Sequence, residues 1–282
     1  MRSVARLTYK QVQNAYNGQP DISTEPLLDS VIQPLFRAFQ CLDWARQKRG
    51  ALALDIPERK VEINNDGEMI GVTPRQRLAS HQLIEEFMVL ANVAAARTLQ
   101  QENMVGLYRV HEAPDSERVQ ELRFILKGMG IYMAPAGSLK AKNFNQILDA
   151  IREEPVAELV NTMILRSQSQ ARYNPENLGH FGLSLSHYTH FTSPIRRYSD
   201  LIVHRALISR LKLGQGGIDK KQAAELQDIA EHISATERRS VAAERETVDR
   251  FTAVFLEEKI GADFSGRISG VTRFGVFVSL TE

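Results

Sequence analysis

The chain has 282 residues, 43% of them hydrophobic and 24% charged, with a net charge of +1. That is enough chain to bury one large core or two smaller ones, and a polyanionic partner would have to be held by a local basic surface rather than by the field of the whole protein. A single cysteine, Cys41, excludes an internal disulfide and a cysteine-rich zinc cluster; an apolar run of roughly 20 residues and the apolar middle of a secretory signal are both lacking, which predicts a cytoplasmic protein with no membrane partner.

Residues 25–49 repeat Leu28, Ile32, Leu35, Phe39 and Leu42 every three or four positions, the stripe of an amphipathic helix that Gly50 closes and Pro34 is placed to kink. Residues 52–74 carry short β-branched runs around Asn65-Asp66-Gly67, the chemistry of a hairpin turn. A second helix is predicted over 76–101, with Leu83, Phe87, Leu90, Ala91 and Ala94 on one face, and further helices over 115–130, 143–152 and 154–169. Residues 171–180 (ARYNPENLGH) have turn chemistry, and 181–188 (FGLSLSHY) alternate Phe181, Leu183 and Leu185 with small or polar residues, as a strand does. Ser193 suits an N-cap and Pro194 a first helical position, so a helix is expected from Pro194 to about Leu213, where GQGG at 214–217 breaks it. The next helix, 219–259, is rich in Glu-Arg pairs, and interspersed charges of both signs favour a solvated face over a nucleic-acid contact. From Gly261 the period changes to two, giving two strands joined by a tight turn near Thr272 and Arg273. Phe274 and Phe277 point to opposite faces of that hairpin; core packing is the default for each, and a base-stacking platform is the alternative. The fold class is mixed α/β of the α+β kind, without internal repeats or low-complexity tracts.

The chemistry concentrates in HYTHFTSPIRRYSD, 187–200. With a helix starting at Pro194, Arg196 and Arg197 fall in its first turn, beside unpaired N–H groups, where two guanidiniums cost stability unless an anion sits among them. Free amides with guanidinium forks make a phosphate site. Residues 193–212 carry Arg196, Arg197, Arg205, Arg210 and Lys212 against Asp200 alone, so this stretch is basic although the chain is not. The same residues allow a plainer arrangement, in which Arg196 pairs with Asp200 at i,i+4 and Arg197 faces solvent. His204 is either a phosphate partner two turns beyond Arg197 or a packed histidine. His180, His187 and His190 include one His-x-x-His spacing of the zinc-binding kind, but no third ligand is fixed, and satisfied structural histidines are favoured.

NPENLGHFGLSLSHYTHFTSPIRRYSDLIVHRAL, 174–207, resembles the signature of the ribonuclease II and ribonuclease R family of processive 3'-to-5' exoribonucleases, with the closer likeness to ribonuclease R. ARLTYKQV (5–12), RGALALDIPE (49–58), LIEEFMVLANVAAAR (83–97), LYRVHEAP (107–114) and MILRSQSQARYNPEN (163–177) agree in the same order, so the likeness covers essentially the entire chain. It implies a ribonuclease II-type catalytic domain over 1–260 and, from Gly261 to Glu282, the start of an OB-type RNA-binding module. It also implies that a single-stranded RNA 3' end is threaded into a deep channel. There Mg2+ ions held by aspartates activate water against the terminal phosphodiester, releasing nucleoside 5'-monophosphates.

Carried over residue by residue, the resemblance makes Arg196 the catalytic arginine on the scissile phosphate, with Arg197 its neighbour. Glu86, or alternatively Glu85, binds the sugar of the terminal nucleotide, and Tyr9 lines the same end of the channel. Two departures stand out. Leu54 occupies the place of a phenylalanine that stacks on the last base, giving up part of a stacking energy of about 1–3 kcal/mol per base. The family's aspartate cluster, of the form Asp, five residues, Asp, one residue, Asp-Asp, lies before the region of Tyr9 and has no counterpart in this sequence, where Asp55, Asp66, Asp115 and Asp200 are scattered singly. The expectation is a chain that begins inside the catalytic domain, with Met1 an internal methionine, that ends inside the OB module, and that alone lacks metal-dependent cleavage. A non-catalytic RNA-binding remnant is the alternative, and a monomer is expected.

Overall fold

The computed structural model describes residues 2–280 except 57, 58, 68, 75, 136–138, 258 and 273. Among the described residues the architecture is helices interleaved with three separate two-stranded antiparallel ladders. Helix α1, Tyr9–Tyr16, is started by Thr8, whose hydroxyl accepts from the Gln11 N–H while Gln11 reaches back to the Thr8 N–H, a reciprocal cap. At Pro34, placed to kink the helix, the helix changes type. A 3-10 turn at Glu25–Leu27 and a π turn at Leu28–Ile32 run into α2, Gln33–Arg49, which places Pro34 in the first α-helical turn, directly after the π turn. Gly50 closes α2 at φ 75°, as its position predicts.

The hairpin β1 (Arg59–Ile63) and β2 (Met69–Pro74) forms about the Asn-Asp-Gly turn and leads to α3, Ala79–Gln101. Ala15, Ile32, Phe36, Phe39 and Leu83 join α1, α2 and α3 in one core. Helices α4 (Ser116–Gly128), α5 (Ala141–Ala150) and α6 (Ala157–Ser167) close a second around Leu126, Phe144, Val160 and Ile164. The irregular segment after Gly50 is fastened to this bundle by side-chain amides. Asn145 exchanges hydrogen bonds with Ala51 and Ala53, and Asn161 accepts from the Asp55 N–H.

Two expectations about 171–188 are reversed. Part of the stretch with turn chemistry is a strand: β4, Arg172–Asn174, pairs with β3, Tyr108–Val110. The expected strand over 181–188 is a tight turn, with His180 and Leu185 exchanging both backbone hydrogen bonds and Ser184 at φ 50°. The alternation misleads because Gly182 is there for proximity. Its N–H donates to His111 Nδ1, and a Cβ on it would stand 2.9 Å from that nitrogen.

The helix expected from Pro194 starts four residues later. Helix α7 is Tyr198–Leu211, Arg197 is its N-cap in an extended conformation, and neither Ser193 nor Pro194 belongs to it. The helix expected over 219–259 is two: α8, Lys220–Ala224, capped by Asp219, and α9, Leu226–Glu257. Leu226, Ala230 and Ser234 are buried near the start of α9, and the charged residues beyond Glu237 are exposed among those described. The final hairpin pairs β5, Gly266–Thr272, with β6, Gly275–Leu280; Arg273 lies outside the described residues, and among those described no closed barrel forms. Core packing of its phenylalanines is not what is found, since Phe274 is 86% and Phe277 62% exposed.

Candidate functional site

The stretch from Ser193 to Arg197 is a closed loop rather than a helix start. The Ser193 carbonyl accepts from the N–H groups of Arg196 (3.2 Å) and Arg197 (3.0 Å), and the Ser193 N–H donates to Asp200 Oδ1 at 2.8 Å. Arg197 lays its fork on the same carboxylate, Nε to Oδ2 at 2.9 Å and Nη2 to Oδ1 at 2.8 Å, and Ser199 Oγ donates to Oδ2 at 3.0 Å. The ion pair expected between Arg196 and Asp200 therefore belongs to Arg197, because the turn carries Arg196 away from the helix. Arg196 is exposed, its guanidinium has no ion pair among the described residues, and Ile195 beside it is 102% exposed.

Next to the loop lies a column of aromatic and imidazole rings, buried at His111, Tyr173 and Tyr188 and half-buried at His180 and His190. His111, His180, Tyr188, His190 and Tyr173 meet edge to face in succession, with centroids 5.0–5.8 Å apart. His190 Nδ1 is 2.9 Å from the Tyr173 hydroxyl, and Asn92 ties Tyr188 Oη to the Phe191 N–H. Arg109 covers the Tyr173 ring at 4.7 Å and is held bidentately by Glu237 of α9, at 2.6 and 3.1 Å. Burial, followed by the His111 and Arg109 charges, depresses His180 to about 3; burial, followed by Arg197 and Arg109, does the same to His190. Both rings are neutral near pH 7 and act as rigid packing rather than as proton carriers.

His204 packs flat on Phe191, centroids 4.3 Å apart, and its Nε2–H donates to the Phe191 carbonyl. Glu86 is a residue of α3, and Tyr9, the first residue of α1, lies against the start of the same helix. Tyr9 is 46% exposed and stacks on His81 at 4.2 Å, with its carbonyl accepting from Ser80 Oγ. Glu86 is buried against α2, its Oε1 3.6 Å from Arg46 Nε; burial pushes its carboxyl up, against the downward pull of Arg46 and Arg49. Its neighbour Glu85 is exposed and paired with Arg77 at 2.5 Å. Leu54 is half-buried against the α4–α6 core, and Phe277 is on the separate final hairpin. His187 bonds to Ser186 Oγ. Sequence reasoning missed Asn92, Arg109 and Glu237, whose contacts span 96, 99 and 128 positions and leave no local pattern to read.

Among the described residues no three His, Cys, Asp or Glu side chains gather as a metal-ligand set. The carboxylates described do not fit Mg2+, which needs several grouped oxygens, and the most buried aspartate, Asp200, is already committed to four donors. What the site offers is an exposed guanidinium on a loop whose backbone is pinned at both ends, an arrangement suited to an oxyanion.

A family profile described as "RNB domain" matches residues 1–213, and the chain belongs to that family. Within it the likeness is to ribonuclease R. The ribonuclease R of Aquifex aeolicus (strain VF5) is 38% identical over 283 residues, which take in all of this chain and 40% of that protein. The structure "Mycoplasma genitalium RNase R in complex with ribose methylated single-stranded RNA" superposes with a TM-score of 0.92 at 29% identity, covering 98% of this chain and 44% of that one. The same protein "in complex with double-stranded RNA" gives 0.91, covering 98% and 49%. The chain thus spans less than half the length of these relatives. No helix among the described residues is long and apolar enough to cross a membrane.

Proposed function

We propose that this chain supplies the end-holding part of a processive 3'-to-5' exoribonuclease that releases nucleoside 5'-monophosphates. In this reading Arg196 contacts the scissile phosphate, Glu86 and Tyr9 meet the terminal nucleotide, and Arg197 and His204 brace the loop from behind. Residues 1–260 act as catalytic domain, and 261–282 contribute to an OB-type RNA-binding surface on which Phe277 stacks a base. The Mg2+ ions of the reaction are bound by aspartates that this sequence does not contain. These 282 residues by themselves bind RNA, as a cytoplasmic monomer, without hydrolysing it. The observation that carries the reading is the pair of neighbouring arginines, one consumed by Asp200 and the other displayed to solvent. A second reading, a non-catalytic RNA-binding protein, is favoured by the scattered aspartates; a coding sequence that continues upstream with an aspartate cluster decides against it.

An end-holding site distinguishes RNA with a free 3' end from RNA without one. The chain is therefore expected to bind a linear single-stranded RNA more tightly than a circle of the same sequence, with affinity falling as salt rises. Equal affinity for the two would refute end recognition and leave only sequence-independent contact with the backbone.

A further inference from the structure

Asp200 has none of its surface exposed, so its charge is stabilised entirely by protein donors. Those donors are unusual in where they come from. Oδ1 accepts from the Ser193 N–H at the start of the loop, and both oxygens accept from the Arg197 guanidinium at its end. Ser199 Oγ, already in α7, supplies the fourth bond. The carboxylate is thus a rivet. It passes through both feet of a five-residue loop and anchors them to the first turn of the helix, and only Pro194, Ile195 and Arg196 are left to project.

We propose that Asp200 is the positioning residue for Arg196, fixing the loop so that this one guanidinium is presented to an RNA phosphate while Arg197 is withheld from it. The proposal rests on the reading of Arg196 as a phosphate ligand. It explains why two adjacent arginines do not compete for one anion: Arg197 has its Nε–Nη2 edge on Asp200, and Arg196 makes no ion pair with it. It also separates geometry from charge. Loss of the Asp200 charge leaves the chain one unit more positive and frees Arg197, so long-range electrostatics alone would make RNA bind more tightly. Loss of the rivet lets Arg196 wander, so positioning makes RNA bind less tightly.

The opposite signs make the test direct. Binding of a fluorescein-labelled oligoadenylate of about ten nucleotides is measured across a salt series for the intact chain, Asp200→Asn, Arg196→Ala and the double variant, each checked by thermal melting. Asp200→Asn is expected to weaken binding by roughly tenfold, the equivalent of about 1.4 kcal/mol, and to lower the salt slope by the ~0.7 that one single-strand phosphate contact contributes. In the Arg196→Ala background it should add no further loss. Tighter binding by Asp200→Asn, or losses that add in the double variant, would overturn the positioning role. An Arg196→Ala variant that binds like the intact chain would overturn the phosphate reading, and the positioning role with it. Should Asp200→Asn fail to fold, Arg197→Lys gives the same comparison. Lysine keeps the charge but not the fork, so binding should weaken in the same direction, and unchanged binding would count against the proposal.

Discussion

Arg197 lays its guanidinium fork on a carboxylate that has no contact with water, whereas Arg196, one position earlier, has no ion pair among the described residues. The turn at Ser193 makes that difference, since both arginine N–H groups bond to its carbonyl and only the second side chain is turned back toward α7. The sequence leads to an anion site being expected at the arginine doublet, but which of the two pairs with Asp200 was not legible, because Asp200 lies close enough in sequence to pair with either one. Leu54 carries a residue-scale prediction of its own. It is half-buried at the edge of the α4–α6 core, in a segment pinned by Asn145 and Asn161. If it faces the terminal base, Leu54→Phe should tighten RNA binding by about 1 kcal/mol, roughly fivefold, without altering the melting temperature much. A loss of RNA affinity would place the base elsewhere.

At the scale of elements, the long helical segments and the Asn-Asp-Gly hairpin were readable because their apolar spacing and turn chemistry are local. The face of α3 was not: of Leu83, Phe87, Leu90, Ala91 and Ala94 only Leu83 is buried and Leu90 is 50% exposed, whereas Val93, Ala96 and Leu99 are in the core, because the neighbours that cover the helix are distant in sequence. The stretch 181–200 was misread because its structure is decided from outside. Gly182 is drawn to His111, and Ser193 is captured by a side chain seven residues away before it can cap a helix. The ring column that supports this stretch has a pH signature. His180 and His190 are held near 3 when folded, against an ordinary value of 6.5. Their folded-state values are depressed, so their full contribution to stability is present above about pH 6.5. It is lost as pH falls from there toward 3, because the unfolded chain takes up protons that the folded chain refuses, at up to about 1.4 kcal/mol per pH unit for each ring. Thermal melts should therefore drop between pH 7 and pH 5. His190→Gln, which keeps an acceptor for the Tyr173 hydroxyl, should make that drop shallower; an unchanged pH dependence would mean that His190 is protonated in the fold.

Across the whole molecule, the RNB-domain match over 1–213 and the superposition on ribonuclease R over 98% of the chain fix the family and the fold. Inside that frame the chain combines a pinned loop that displays Arg196 with carboxylates that, among the described residues, gather into no metal-ligand set, which is why binding and hydrolysis are expected to come apart. The most direct test is incubation of the chain with 5'-labelled single-stranded RNA and Mg2+, following both complex formation and product length. The account predicts a retarded complex in which the RNA stays at full length. Progressive shortening to mononucleotides, abolished by Arg196→Ala, would contradict it by showing that these 282 residues assemble a complete metal-dependent site.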